Sequence, residues 1–588
     1  VDGRDTVNPA QTGTKAALWY QFEVASGATD EIVIRLHRDE VTPTVAAEDV
    51  LASRSSEADD FYAALTPAAA SHEEAALLRQ ALSGMLWSKQ YYHYDVARWL
   101  DGDPSQPTPP ASRLTGRNAG WRNLNNRDVI SMPDKWEYPW YAAWDLGFHC
   151  VALAHVDPSF AKEQLILLCR EWYMHPNGQL PAYEWKFSDV NPPVHAWAAL
   201  RVFEIDGSSD FDFLERVLHK LLLNFTWWVN RKDADGNNVF SGGFLGLDNI
   251  GPIDRSSPLP IDGVLEQSDG TSWMAMYCLD LLEISLTLAR EDRTYEDLAT
   301  KFFEHFALIA EAMYSRGLWD EEDGFYYDVL ATPSGQRISL KLRSMVGLLP
   351  IAATTTLGRE TLDKLPGFTD RMNWFVENRP DYSELFHMHE RDGGEGRLLS
   401  IVSPERLRRV LRWLLDENEF LSPHGVRALS ATYRDQPFSV DLGGMMYTVR
   451  YDPGESTTGL FGGNSNWRGP VWFPVNFIVI EGVRRFARFF GDDFPVEYPT
   501  GSGTQVTLGD LADKLGQRMI DLFVPDEQGR RPVFGSDEKF QTDPVWNRLI
   551  PFHEYFHGDT GHGLGASHQT GWTGLVADLI IRRGQPRE

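Results

Sequence analysis

Helical periodicity recurs along most of this chain, and it limits the fold more than any other feature. Apolar residues repeat at helical spacing near 73–99, 139–155, 158–175, 192–205, 210–230, 270–291, 294–314, 341–353, 404–416, 470–490, 507–524 and 567–582. About twelve such segments, divided by alternately short and long loops rich in Gly, Pro and Asp, predict a mainly α fold of antiparallel helices. Two arrangements meet that pattern: a closed double ring of six inner and six outer helices, or a helical solenoid. No fixed-period repeat runs through the sequence, which favours the ring. A chain of 588 residues with 42% hydrophobic content can fill the core that such a ring requires.

The N-terminal part reads differently. Trp19-Tyr20-Gln21-Phe22-Glu23-Val24, the turn Ser26-Gly27 and Glu31-Ile32-Val33-Ile34-Arg35-Leu36 predict two strands within residues 15–36. A lone hairpin is marginal in water, so it is expected to add to a larger sheet or to cover the helical body. The expected division is a β-hairpin over 1–40, a polar connector over 41–72 and the helical domain over 73–588.

Charge and cysteine usage narrow the partners. A net charge of −29 disfavours nucleic acid and anionic membrane surfaces. No apolar run approaches the roughly 18 residues needed to cross a bilayer. Cys150, Cys169 and Cys278 form neither a disulfide framework nor a metal spacing, and are expected as core thiols in a cytoplasmic setting. No cofactor is implied by these spacings, and the sequence does not fix whether there is a structural calcium site. Oligomeric state is not encoded in any feature of the sequence.

The long loops, 101–138, 233–268, 364–403, 431–469 and 529–566, hold most of the Trp, Asp and Glu clusters, and long loops on a rigid scaffold are where sites usually sit. Trp136 to Asp145 gathers Trp140, Tyr141, Trp144 and Asp145. Asn177 to Trp185 carries Gln179, Tyr183 and Glu184. Gly246 to Asn249 carries Asp248 and Asn249. Asn466 to Trp472 carries Trp467, Arg468, Gly469 and Trp472, with Pro470 suited to a helix start. Arg468 is expected to fork onto a carboxylate or sugar hydroxyls. Trp273 and Trp572 open apolar helical segments. Flat rings with neutral hydrogen-bonding groups suit an uncharged polyhydroxylated ligand. For most of the twenty tryptophans, however, helix–helix packing is the simpler reading.

His553-Glu554-Tyr555-Phe556-His557 matches H-E-x-x-H, the zinc-protease pattern, which needs both histidines one helical turn apart. Pro551 precedes it, and Gly558, Gly561, Gly563 and Gly565 follow, which is poor helix material. The extended pattern needs Gly at 560 and His at 563, where this chain has Thr560 and Gly563. The other reading makes Glu554 one carboxylate of a glycoside-cleaving pair, set among aromatic rings. Asp269, in Glu266-Gln267-Ser268-Asp269-Gly270-Thr271-Ser272-Trp273, is the second. Locally Asp269 also reads as a helix N-cap, and the helix dipole favours its ionised form. Duty as an acid would require burial beside Trp273 and a nearby like charge, for which Glu266 is the candidate.

Asp-Gly-Thr-Ser-Trp at 269–273, Trp-Arg-Gly-Pro at 467–470 and Glu-Tyr-Phe at 554–556 together resemble, in this order, glycoside hydrolase family 63, over roughly residues 73–583. That group includes processing α-glucosidases and bacterial mannosylglycerate and glucosylglycerate hydrolases. The resemblance implies an (α/α)6 barrel and an inverting mechanism, with Asp269 as general acid and Glu554 as general base. It also implies a glycone pocket lined by Trp144, Asp145, Gln179, Trp467, Trp472 and Gln569. The hairpin resembles the end of the family's N-terminal β domain, most of which this sequence lacks. Asn466 also departs from the pattern, standing where a tyrosine often precedes Trp-Arg-Gly-Pro.

An inverting α-glycosidase, most simply an α-glucosidase acting on an oligosaccharide or small glucoside, is the first expectation. A zinc hydrolase using His553, Glu554 and His557, and a sugar-binding protein without turnover, are the alternatives. Chain length, linkage and aglycone are left open by the sequence.

Overall fold

The structure is a computed structural model. It describes every residue except 1–6, 37, 39–44, 117, 181, 183–186, 188–189, 232, 234–235, 243–246, 248, 256, 380–395, 460–464, 569 and 584–588. The chain forms two compact units, residues 1–64 and 65–588.

In the first unit the expected hairpin is not formed. Residues 15–36 run extended without strand pairing, turn at Ser26-Gly27, and leave Trp19, Tyr20, Phe22 and Ile34 exposed. The alternation of apolar residues is present, but two strands without a third gain too little from pairing alone. The connector expected over 41–72 contains a helix, Ala47–Leu65, with no buried side chain.

The second unit is mainly helical, and its helices contact one another in circular order. Ala143–Ala154 packs on His195–Ile205, which packs on Ser268–Ala289. Ser268–Ala289 meets the 3-10 turn Leu349–Ala352, which meets Phe473–Phe490. Phe473–Phe490 reaches the short helix Thr570–Thr573, which returns to Ala143–Ala154. Pro158–Leu168, Phe211–Val229, Glu296–Ser315 and Leu508–Ile520 flank these elements. The expected segments thus form helices with two exceptions. The segment 341–353 gives two 3-10 turns, Met345–Gly347 and Leu349–Ala352, because Gly347 lies against Phe325 and the Tyr326 carbonyl and Pro350 follows. The end of 73–99 leaves the helix at Trp87, and Lys89–Asp95, rich in tyrosine, pairs with Asn125–Ser131.

Ser268–Ala289 is apolar on all sides and almost wholly buried, as a central helix must be. It is long and apolar enough to cross a membrane by length and composition, yet 89% of the relevant window lies inside the protein. The three cysteines are buried free thiols. Buried charges tie the helices together. Glu481 and Asp578 share Arg201 and Arg582, and Arg485 donates to Asp280 at 3.0 Å. Burial pushes Glu481 up, but Arg582, Arg201 and Arg484 outweigh it and bring its carboxyl down to about 2.

The first and last helices of this unit are joined at Glu74. Ser71 and Glu74 form a reciprocal capping box at the start of His72–Trp87, and Arg583 of Val576–Arg583 donates to Glu74 Oε2 at 2.7 Å. Burial raises the Glu74 carboxyl, and Arg583 and Ser71 lower it further, to about 2. A carboxyl held below its usual value stabilises the fold above that value and loses the effect as pH falls through the lowered one. Glu74→Gln is therefore expected to cost about 1–3 kcal/mol at neutral pH. Its melting-temperature deficit against the parent should shrink between pH 4.5 and about 2, which a pH series of thermal melts reads directly.

Candidate active site

Asp269 lies in the first turn of Ser268–Ala289 and is fully buried. Arg255 grips it from both sides: Nη1 donates to Oδ2 at 2.8 Å and Nη2 to Oδ1 at 2.5 Å. The Gly270 amide adds a bond to Oδ1 at 2.8 Å. The like charge beside Asp269 is not Glu266, which is taken by Arg316 and Arg337 and held below its usual value against its burial. It is Asp328, the first residue of the strand Asp328–Ala331, whose Oδ1 accepts the Ser268 amide at 2.8 Å. Pairing of that strand with Val264–Glu266 brings residue 328 to the start of the Asp269 helix. Arg255 and Asp328 escaped the sequence reading, since each sits in a segment without any motif.

Glu554 lies on the other aromatic corner. It is 5% exposed, and its amide donates to Ala566 O at 2.8 Å. Glu554 Oε2 accepts from the Ala566 amide at 3.2 Å and from the Tyr138 hydroxyl at 3.4 Å. Burial, then the charges of Glu554 and Glu137, push the Tyr138 phenol well above its usual value, so it remains a donor. Gly565 makes room for the carboxylate. It has φ +67°, and a Cβ there would stand 2.6 Å from Glu554 Oε2. The segment is extended: Tyr555–Phe556 pairs with Gly563–Leu564, and Phe556 also bridges Val471. His553 and His557 are separated by a bend at Glu554 and the strand Tyr555–Phe556, not by the helical turn that H-E-x-x-H chemistry needs. Both imidazoles are pushed below their usual value, chiefly by burial, His553 to about 4.

A continuous aromatic wall joins the two corners. Tyr555 stacks on Trp472 at 4.5 Å, and Trp472 stacks on Trp467 at 4.0 Å. Trp572 meets Trp472 edge-on at 5.8 Å and Trp144 at 5.6 Å; Trp144 meets Trp273, one turn beyond Asp269, at 6.0 Å. The indole N–H groups of Trp273 and Trp572 are buried without a protein partner. Asp145 is half-buried in the first turn of Ala143–Ala154, close enough for its charge to act on the Tyr138 phenol. Trp140 is edge-on to Tyr138 at 5.2 Å, whereas Tyr141 is buried against Tyr173 at 4.2 Å, a packing position. Gln179 is buried and gives its amide to the Phe187 carbonyl. Tyr183, Glu184, Asp248 and Gln569 lie outside the described residues.

Arg468 corrects the expectation of a ligand-facing fork. Its Nε donates to Asn249 O at 2.7 Å and Nη2 to Gly251 O at 2.9 Å, both backbone carbonyls. Asn249 Oδ1 in turn accepts the Trp467 amide at 2.7 Å. Asn466, the departure from the family pattern, donates to Asp452 O and Gly454 O, and its own carbonyl accepts the Trp472 indole. Gly469, at φ +147°, lets the chain pass 2.8 Å (from a would-be Cβ) from the Tyr451 ring. Arg468, Asn249, Asn466 and Gly469 therefore hold loops in place behind the wall.

Comparison with known proteins agrees with this class of site. Residues 138–243 and 398–573 match the mannosylglycerate hydrolase MGH1-like glycoside hydrolase domain. These two stretches are similar to that domain, the family that the motifs resemble. The matched residues include Tyr138, Trp144, Trp467, Trp472, Glu554 and Trp572, while Asp269 falls between the two matched stretches. An uncharacterized protein of Saccharomyces cerevisiae is 49% identical over 613 residues, covering 98% of this chain and 56% of that protein. The mannosyl-oligosaccharide glucosidase of the same yeast is 20% identical over 319 residues, covering 53% of this chain and 26% of that protein. The chain thus spans about half, or less, of the length of these relatives. Among solved structures, the family 63 mannosylglycerate hydrolase of Thermus thermophilus in complex with glucose is 16% identical with a TM-score of 0.46. The match covers 77% of this chain and 96% of that one.

The clamp makes a prediction of its own. Arg468→Ala removes two charge-assisted hydrogen bonds to buried carbonyls and is expected to cost about 3 kcal/mol of stability. Trp467→Phe, which keeps a ring against Trp472, is expected to cost far less. Thermal denaturation of the two variants side by side checks this, and equal, small losses would contradict the clamp.

Proposed function

We propose that this chain hydrolyses α-glucosidic bonds with inversion, using Asp269 as general acid and Glu554 as general base. The observation that carries the reading is the pair of buried carboxylates in unlike surroundings, joined by one wall of tryptophans. Glycoside cleavage with inversion needs one carboxyl to protonate the leaving oxygen and another to deprotonate water on the opposite face, with roughly 6.5–9.5 Å between them. Pairs of carboxyls whose environments differ are the usual way to divide acid from base. Glu554, a buried carboxylate that accepts from the Ala566 amide and the Tyr138 hydroxyl, suits the base. Trp467 and Trp472 are buried in the stack and brace the Glu554 corner, while the half-buried Trp140 and Asp145 beside Tyr138 suit the apolar face and the hydroxyls of a sugar ring. The circular order of helix contacts supports an (α/α)6 barrel as the scaffold. The glucosidase relative favours glucose, and the reaction as drawn requires no metal. Gln569 is assigned to the same pocket by the resemblance, and Tyr183, Glu184 and Asp248 by the composition of their loops.

The stereochemistry of the first product tests the mechanism. An α-glucoside should release β-glucose first, followed by mutarotation, in proton NMR of the earliest product. Asp269→Asn should lose roughly 10²–10⁴ of the rate on a glycoside with a poor leaving group and much less on α-glucosyl fluoride, which needs no proton. Glu554→Gln should lose activity on both. Appearance of α-glucose first, or an Asp269→Asn enzyme equally impaired on both substrates, would contradict the assignment.

A further inference from the structure

A second cleft, of about 490 Å³, opens where the paired strands Lys89–Asp95 and Asn125–Ser131 run into the short helix Val96–Asp101. Its lining includes His93, Tyr94, Asp95, Arg98, Trp99 and Arg113, none of which belongs to either carboxylate corner. The volume falls within the range of small-molecule sites, roughly 300–1,000 Å³. Trp99 is 47% exposed, a large ring to leave in water. The ring is nevertheless held. The Arg113 guanidinium lies over it, 4.0 Å from its centre, and Arg113 Nη1 donates to the Trp99 carbonyl at 3.0 Å. Along the strand, Tyr91 and His93 stand exposed two residues apart, their ring centres 6.3 Å from each other, and Asp95 follows on the same face. The loop of residues 104–110, with four prolines, supplies Gln106, Pro107 and Pro109 to the cleft. Its entry is fixed: Asp103 Oδ1 accepts from the Ser105 amide at 2.9 Å and from the Ser105 hydroxyl at 2.8 Å. Gly102, at φ +89°, lets Pro109 come within 2.6 Å of where a Cβ would stand. Walls built from proline and a pinned ring are ordered before any ligand arrives, which lowers the entropy cost of binding. Charge in the cleft is balanced. Among the described lining residues two guanidiniums accompany two carboxylates, with Arg98 paired to Asp103, Arg113 set on Trp99, and Asp95 accepting the Arg98 amide at 3.1 Å. A phosphate or sulfate finds no surplus of positive charge there. A ring, a phenol, an imidazole and the Gln106 amide remain.

We propose that this cleft is a second, non-catalytic binding site for an uncharged oligosaccharide, an α-linked glucose chain of the kind assigned to the Asp269–Glu554 site. A sugar ring stacks on the open part of Trp99, and its hydroxyls bond to His93, Tyr94 and Gln106. The choice of glucose rests on the hydrolase reading above, whereas the preference for an uncharged sugar rests on the cleft alone. The site acts by retention. A chain held at one point of the protein meets the catalytic cleft at a raised effective concentration, which long substrates gain and short ones do not. Two alternatives differ in outcome: Trp99 is a surface ring that only supports Arg113, or the cleft takes an anion through Arg98 and Arg113.

Hydrogen-exchange mass spectrometry of the Glu554→Gln protein with maltoheptaose locates the site without turnover. Saturating maltoheptaose should slow exchange over residues 98–113, and inorganic phosphate should not. Adding Trp99→Ala in that background should weaken the protection, with the sugar concentration for half-protection rising roughly 3- to 10-fold, the weight of one stacked ring. Trp99→Phe should recover part of it. Gln106→Ala, on an exposed loop where folding is not at stake, should weaken it as well. With Glu554 intact, Trp99→Ala should raise the ratio of the maltoheptaose KM to the maltose KM several-fold. Absence of protection by maltoheptaose, protection by phosphate in its place, protection that survives both Trp99→Ala and Gln106→Ala, or an unmoved KM ratio overturns the proposal and leaves hydrolysis at Asp269 and Glu554 intact. Protection by maltoheptaose in a protein that cleaves no α-glucoside overturns the hydrolase reading and keeps the second site.

Discussion

The stack of Trp467, Trp472 and Tyr555 is the contact on which the site depends. Ring separations of 4.0 and 4.5 Å bring three chain segments together: the loop before a helix, the first residue outside that helix, and the strand carrying Glu554. Such aromatic pairs contribute about 0.5–1.5 kcal/mol each beyond the area they bury. Their larger effect is geometric. Flat rings in a close-packed interior leave no room for sliding, so Tyr555 fixes its neighbour Glu554 relative to the start of Phe473–Phe490. Trp572 and Trp144 extend the same constraint to Trp273, and through its helix to Asp269.

The two corners differ in how they manage charge. Glu554 accepts from an amide and a phenol, so its negative charge is solvated by dipoles. Asp269 is neutralised by a full cation and crowded by a second carboxyl. A simple scheme would place the acid among apolar groups and the base beside the cation. Here the carboxylate at the helix start sits beside the cation, and the carboxylate on the extended segment accepts from an amide and a phenol. Elsewhere in the same unit the chain uses another solution: Glu481 and Asp578 are surrounded by several arginines and stay ionised, serving as struts between helices. Cation number, more than burial, decides whether a buried carboxyl here holds or releases its proton.

Helix existence was legible because periodicity survives context: eleven of the twelve expected segments contain an α-helix, from His72–Trp87 to Val576–Arg583. Failures follow tertiary demands. Residues 341–353 have helical spacing, but Gly347 must fit beneath Phe325, and the chain takes 3-10 turns. Residues 15–36 have strand alternation, yet no strand pairing forms among them. Motif and aromatic flanks singled out Asp269 and Glu554 in the sequence, and the structure buries both. Arg255 and Asp328 were not legible, since a loop arginine and a strand aspartate look like surface residues until β pairing between 264–266 and 328–331 brings them together. Burial of Arg201, Glu481 and Asp578 was equally hidden, because charges on a helix read as a solvated face.

Arg468 shows why a specific motif need not touch a ligand. Trp-Arg-Gly-Pro pointed to the right place, but the guanidinium binds the carbonyls of Asn249 and Gly251. Those carbonyls belong to the segment that, four residues past Gly251, presents Arg255 to Asp269. Asn249 also receives the Trp467 amide, so this segment is pinned to the aromatic stack at its other face. A second chain of contacts therefore runs from Glu554 through Tyr555, Trp472 and Trp467 to Asn249, and by way of Arg255 to Asp269. One route between the carboxylates passes through rings and the other through backbone and charge. A displacement of Trp467 would disturb both at once, moving the wall and loosening the grip of Arg255 on Asp269. The motif contributes to the site by holding its two halves in register.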